Sequence, residues 1–488
     1  MAMYTLLESL PAHHPLISNG QATLDRDALQ QRIDVICGAL RSRRLPLAPV
    51  AILADNSPEW LVIDLATQAL GVTLVPLPLF FTPAQWGHAL QQSGTQSVFC
   101  AHPSQGAALG FDTLLPHSGP LVLCERTAVD IVSTAELAGV QKITFTSGTT
   151  ASPKGVCLSS EHQWQVALAL QQGVSSLGLE RHLCLLPFAV LLENIAGPYT
   201  ALLSGATIIC PPLAEIGMSG ASQFDAQRCI EAIERYQANS IIVLPQMLQA
   251  IVMAAEDQDL RLRSLRFVAV GGARTPPQLL VAAQRRGIPV FEGYGLSECA
   301  SVVALNLPDA QRSGSVGRPL PHRPVRIAAD GEIEVGGSHV PYLGGASIPD
   351  TWLATGDLGH LDADGFLYID GRKKDILITS FGRNVSPEWP ETLLLGSGVI
   401  GQALVIGDGM PYLSALIVPL AASLSAAQLE QAVEETNREL PDYAQIRRWA
   451  VISPFTPANG EATANGRPRR TIIQQRYAAL IASLYLTE

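Results

Sequence analysis

At 488 residues the chain is longer than one hydrophobic core usually supports, so at least two domains are expected. Its 47% hydrophobic content gives ample core, while 32 basic against 43 acidic side chains leave a net charge of −11 and no broad basic face, which argues against nucleic acid as a partner. Eight cysteines with no CxxC pair, residues 1–15 with no basic-then-apolar leader, and no apolar run of roughly 18 to 20 residues read as a reduced, cytoplasmic chain without a transmembrane segment.

In chain order, helical stretches are predicted over 25–41, 58–69, 83–92, 225–236 and 276–286, several opened by proline, whose fixed φ suits a first helical position. The apolar runs 50–53, 73–75, 241–244 and 267–270 fall between them and read as strands buried on both faces. The long apolar stretch 241–255 is broken by Pro245, Gln246 and Gln249 and therefore reads as a strand followed by a helix. Such alternation predicts an α/β fold of βαβ units. From about Pro319 the texture changes to short strands with Asp330-Gly331 and Asp364-Gly365 hairpin signals, then a polar run at 370–375 where the domain hinge is placed, and a final helix over 471–486.

The densest chemical signal is Thr146-Ser147-Gly148-Thr149-Thr150-Ala151-Ser152-Pro153-Lys154-Gly155, directly after an apolar run. Hydroxyls, close-approaching glycine backbone and one mobile cation suit phosphoryl oxygens. A Walker A loop is excluded, because Lys154 follows Pro153 and precedes Gly155.

Further segments follow in order: Glu292-Gly293-Tyr294-Gly295-Leu296-Ser297-Glu298, Thr355-Gly356-Asp357 and Gly371-Arg372-Lys373-Lys374-Asp375. Together with the loop, and with Asp55-Asn56-Ser57-Pro58-Glu59-Trp60 upstream, this ordered set resembles the adenylate-forming superfamily of acyl-CoA synthetases, luciferases and nonribosomal adenylation domains. The resemblance runs through nearly the whole chain and is strongest to fatty-acyl-CoA synthetases. It implies a large N-terminal ATP- and acid-binding domain, residues 1–373, of layered βαβ sheets with a small β-barrel-like part. A small mobile α+β C-terminal domain, 374–488, follows the hinge residue Lys374.

The implied reaction has two steps: a carboxylate attacks the α-phosphate of ATP to give an acyl-adenylate and pyrophosphate, then a nucleophile, usually a thiol, takes the acyl group. By the same resemblance Thr146, Ser147, Gly148, Thr149, Thr150 and Lys154 meet the departing pyrophosphate. Glu298 holds Mg²⁺, and Gly293, Tyr294, Gly295 and Ser297 line the adenine and acyl cavities. Asp357 accepts the ribose hydroxyls and Arg372 donates to the ribose. Gly271, Gly272 and Ala273 fit the adenine-side turn, or are simply a strand-to-helix connection.

Three positions depart from the resemblance. Val190, with Glu193 beside it in the acyl-site segment 186–193, stands where fatty-acyl members usually carry histidine. Phe381 replaces a glycine next to which the thiol arm passes. Arg467 ends the closing motif 455–467 in place of a lysine that bridges carboxylate and α-phosphate, and arginine's planar fork does not imitate a compact ammonium. Arg469 and Arg470 offer alternative cations.

The expectation is an acid–thiol ligase that activates a fatty or similarly apolar small-molecule carboxylic acid, using ATP and Mg²⁺, for transfer to coenzyme A or to the phosphopantetheine of an acyl carrier protein. The alternatives are an acyl-adenylate synthetase serving an amine or other acceptor, and a catalytically impaired ATP-binding homologue.

Overall fold

Parallel pairing of short, fully buried apolar strands organises the chain, and the computed structural model describes residues 3–127, 137–146, 153–219, 223–337, 342–345, 352–463 and 466–486. Val50–Leu53 lies between Leu74–Pro76 and Ser97–Cys100, parallel to both. Among the described residues these strands belong to a seven-stranded sheet that ends in the antiparallel hairpin Lys142–Thr146 and Lys154–Leu158. A second sheet, of nine strands among the described residues, is centred on Ser240–Val243, Phe267–Val270 and Val290–Leu296, again parallel.

The helices over these sheets begin where the sequence predicts. In Pro58–Leu70 the Ser57 side chain accepts from Trp60 N–H and Pro58 opens the helix, while Gly71 ends it in the left-handed conformation at φ 66°. Thr82 and Gln85 form a capping box ahead of Pro83–Gln92. The apolar stretch 241–255 resolves into Ser240–Val243 and Pro245–Ala254.

Beyond these sheets, Val325–Ile327, Glu332–Val335, Leu353–Leu361 and Leu367–Arg372 build a four-stranded antiparallel sheet whose register sets Asp357 opposite Arg372. After the short turn Lys373–Asp375 the chain forms the three-stranded sheet of Ile400–Ile406, Leu413–Pro419 and Ile446–Val451 with helices Glu388–Gly396 and Ala426–Arg438. The fold is mixed α/β: helix-covered largely parallel sheets, then an antiparallel sheet, then a small part of α+β character. The predicted final helix is divided at Tyr477 into Arg470–Arg476 and Ala478–Ser483, and side chains on both sides of the break, Ile473 and Leu484, are buried against Leu404 and Leu416.

The late segments approach the earlier ones at glycines. A β-carbon at Gly396 would lie 2.5 Å from Gln278 Oε1, and one at Gly466 2.7 Å from Gln246 Nε2. Buried Lys142 donates to Asp64, Asn194 and Tyr199, tying its strand to the helix Pro58–Leu70 and to the segment 191–199.

Candidate active site

The C-terminal ends of strands Ser240–Val243, Phe267–Val270 and Val290–Leu296 open into a cleft of about 1120 Å³, where parallel sheets leave room for ligands. One wall is polar and tightly interlocked. Asp357 is only 4% exposed; its Oδ1 lies 2.7 Å from Arg372 Nε and its Oδ2 accepts from the Tyr294 hydroxyl at 2.6 Å. Thr355 Oγ1 accepts from Asp357 N–H, so the threonine and not the aspartate closes this turn. Gly356, at φ +74°, donates its N–H to Glu332, which in turn binds Lys373. Burial pushes the Asp357 carboxyl up while the Arg372 cation draws it down. Burial, reinforced by Asp357, pushes the Tyr294 hydroxyl well up, so it remains a donor.

The glycine turn after Phe267–Val270 faces this wall. Gly272 adopts φ +82° and its carbonyl accepts from Arg467 Nε at 2.9 Å and from Nη2. Arg467 thus reaches into the cleft, where desolvation and the nearby Arg372 lower its pKa and the Glu388 and Asp357 carboxylates oppose that shift. Gly295 lies at a bulge in the pairing of Val290–Leu296 with Ser301–Leu305, and a β-carbon there would sit 1.8 Å from Ser301 O. Gly271, Ala273, Gly293, Ser297 and Lys374 also line the cleft.

The phosphate-loop arm enters from the hairpin, whose register pairs Thr146 with Lys154. Lys154 Nζ stands 5.6 Å from the centre of the Tyr342 ring, and the Tyr342 hydroxyl donates to Glu298 Oε1. Ser147, Gly148, Thr149 and Thr150 lie outside the described residues. Glu298 sits in the turn Ser297–Cys299 and lines the cleft together with the Thr146 hydroxyl. This carboxylate and hydroxyl are hard oxygen donors, of the kind Mg²⁺ takes together with phosphate oxygens, so the residues present fit that ion.

The opposite wall is apolar: Val190, Leu191, Leu192, Ala196, Phe267 and Leu305 line it. Asn56 fixes its approach segment by donating to Leu186 O and accepting from Phe188 N–H, both at 2.8 Å. A π turn, Ile195–Tyr199, follows the short helix Leu191–Asn194 and contains Pro198, which has no N–H to donate to an ordinary helical ladder.

Two expected residues stand elsewhere. Glu193, expected to border the acid, is turned wholly into the core: Oε1 contacts His182 Nε2 at 2.9 Å and Oε2 accepts from Leu185 and Leu186 N–H. An unpaired carboxylate facing the apolar wall would be costly, and these donors remove that cost. Although Cys184 adjoins this pair, His182 also bonds Ser240, so the group is a satisfied structural cluster. Phe381 is 77% exposed and does not line the cleft. Both alternative cations, Arg469 and Arg470, line the cleft, and Arg470 is held there by Glu391 at 2.6 Å.

Sequence reasoning missed Tyr342, which reaches the site by a bridge to Val156 and a Leu343 N–H bond to Gly155 O. Glu292, which opens the second motif but is assigned no role there, is 6% exposed in the cleft wall, and burial pushes its pKa up to about 7. All eight cysteines are free and buried; burial raises the Cys157 thiol to about 11 and the Cys299 thiol to about 12, so neither is an activated nucleophile. Among the described residues no helix is long and apolar enough to cross a membrane.

An anion arm, a carboxylate suited to Mg²⁺ and an aspartate–arginine–tyrosine wall define a nucleotide-activating enzyme. Residues 10–341 match the model of the AMP-binding enzyme family and residues 374–488 that of the AMP-binding enzyme C-terminal domain; the chain belongs to this family. It is similar to the indoleacetate–CoA ligase of Aromatoleum aromaticum, 32% identical over 79% of this chain and 81% of that one. It is also similar to the long-chain-fatty-acid–CoA ligase FadD15 of Mycobacterium bovis, 27% identical over 90% and 88%. Its fold matches the crystal structure of the anthranilate CoA ligase AuaEII in complex with anthranoyl-AMP, with a TM-score of 0.81 at 20% identity, covering 99% and 98% of the two chains. The protein is an AMP-forming acid–thiol ligase that works with ATP and Mg²⁺.

Proposed function

We propose that the protein adenylates a fatty or similarly apolar carboxylic acid and passes the acyl group to the thiol of coenzyme A, with a carrier-protein phosphopantetheine as the other thiol acceptor. One observation carries this reading: a single cleft joins the ion-paired Asp357 wall to the apolar wall at Val190. Relatives named as ligases of long-chain fatty acids and of indoleacetate support an apolar acid.

In this reading Asp357 accepts the ribose hydroxyls while Arg372 and Tyr294 hold its carboxylate in place. The glycine turn 271–273 and the strand at Gly293, Tyr294 and Gly295 flank the adenine, with Ser297 beside them. The acid's tail lies against Val190 and its neighbours. The carboxylate oxygen attacks the α-phosphorus, the bond to pyrophosphate breaks, and Lys154 with Thr146 and loop 147–150 meets the charge that leaves. Arg467, drawn into the cleft, neutralises the carboxylate and α-phosphate as they meet. Mg²⁺, when held by Glu298, supplies charge neutralisation for the phosphates. Lys374 is the pivot dividing 1–373 from 374–488, about which the second part turns before transfer.

ATP–pyrophosphate exchange over a panel of fatty and aryl acids, followed by acyl-CoA formation, tests the proposal. Exchange with apolar acids and CoA-dependent thioester formation are expected. Exchange with no acid, despite ATP binding, assigns the chain to an impaired ATP-binding homologue.

Phe381 carries a second reading, transfer to an amine or other acceptor: exposed and clear of the cleft here, its benzyl group would crowd a thiol arm once the loop 379–388 swings in for the second step. Phe381→Gly is expected to raise thioester yield several-fold if the ring is the obstacle, with exchange unaltered; an unchanged yield sinks that role.

A further inference from the structure

Tyr342 touches both halves of the phosphate machinery. Its ring stands 5.6 Å from Lys154 Nζ, its hydroxyl donates to Glu298 Oε1, and its backbone is bridged to Val156 in the hairpin that carries Lys154. Leu343 N–H, bonded to Gly155 O at 2.9 Å, fixes the same segment one residue on. These backbone contacts keep the Tyr342 α-carbon beside the strand that carries Lys154.

A carboxylate that binds a cation is commonly oriented by a hydrogen bond to one oxygen, which leaves the other aimed at the metal. Glu298 has this arrangement, with Oε1 taken by the tyrosine. The hydroxyl is the donor in this pair and Oε1 the acceptor. The ring meanwhile offers its face to the Lys154 ammonium, a modest attraction that holds the amine near the carboxylate without neutralising it.

We propose that Tyr342 is a positioning residue that sets Glu298 and Lys154 for one metal–triphosphate unit, so that its hydroxyl governs affinity for Mg·ATP and its ring governs affinity for the phosphates themselves. The proposal rests on the adenylation reading above.

Calorimetric titration of the full chain with Mg·ATP, and with ATP in excess chelator, separates these contributions. Tyr342→Phe keeps the ring and is expected to weaken Mg·ATP binding about 10-fold while leaving metal-free ATP within about twofold. Tyr342→Ala is expected to weaken both forms, with a folded-state melting profile like that of the Phe variant. The idea is overturned if Tyr342→Phe leaves Mg·ATP affinity unchanged or weakens both forms equally. Wild-type protein that binds ATP in neither form overturns the underlying adenylation reading, and this one with it; wild type that prefers Mg·ATP beside an unaffected Phe variant overturns only the role of Tyr342.

Discussion

The hairpin formed by Lys142–Thr146 and Lys154–Leu158 begins each strand with a lysine, and the two meet opposite fates. Lys142 is 0% exposed and its ammonium donates to Asp64, Asn194 and Tyr199. Lys154 is exposed and stands over one aromatic ring at the cleft mouth. A buried cation with its donors fully used has nothing left for a ligand and serves the fold. The cation with no carboxylate partner among the described residues is the one available to phosphate, so completeness of the partner set, rather than charge or residue type, separates structure from chemistry here.

The sharpest way to break this contrast is Lys142→Met. It leaves Asp64 buried without its counter-charge and is expected to lower stability by about 3–5 kcal/mol in denaturant unfolding, with exchange activity per folded molecule retained. The double variant Lys142→Met/Asp64→Leu is expected to recover most of that loss. Activity falling further than stability in the single variant would place Lys142 in the chemistry.

Lys154→Ala tests the other end. Pyrophosphate exchange is expected to fall about 10²- to 10³-fold with the melting temperature nearly unchanged, as for loss of one transition-state contact. An equal fall in stability would make it a second structural lysine.

Glu292 sharpens the contrast from between the two, being buried like Lys142 yet supported chiefly by the Thr275 N–H. Burial raises its folded-state pKa to about 7, above the unfolded value near 4.5. The folded state therefore binds the extra proton, and this contribution to stability is full below pH 4.5 and is lost as pH rises through 7. Glu292→Gln is expected to match wild type near pH 5 and to exceed it at pH 8 by on the order of 2 to 3 kcal/mol. Melting curves that stay parallel from pH 5 to 8 would show that Glu292 does not titrate in this range.

Much of the fold was legible because local rules and packing agree in it. The strand predicted at 50–53 is Val50–Leu53 and that at 267–270 is Phe267–Val270, since uninterrupted apolar runs fit a sheet covered on both faces. Helix Pro83–Gln92 begins and ends where predicted, because Thr82 and Pro83 fix its entry. The break at Tyr477 was not legible: no glycine or proline marks it, and it arises where the chain turns onto a core built from distant strands.

In the site, residues in contiguous motifs were legible and those joined through space were not. Asp357 and Arg372 were found by motif and meet by strand register. Glu193 was misjudged because its partner, His182, lies eleven positions earlier on another element and leaves no local mark. Tyr342 sits in a glycine-flanked stretch with no periodicity, and long-range backbone contacts, its bridge to Val156 and the Leu343 N–H bond to Gly155 O, bring it to the cleft.

The glycine contacts at 396 and 466 have a mechanical consequence. At each point the later segment presents a bare α-carbon, which lets a glutamine side chain of the earlier part lie directly against its backbone. A methyl added at Gly396 or Gly466 would lie 2.5 or 2.7 Å from the end of that glutamine, so Gln278 or Gln246 would have to turn aside to admit it.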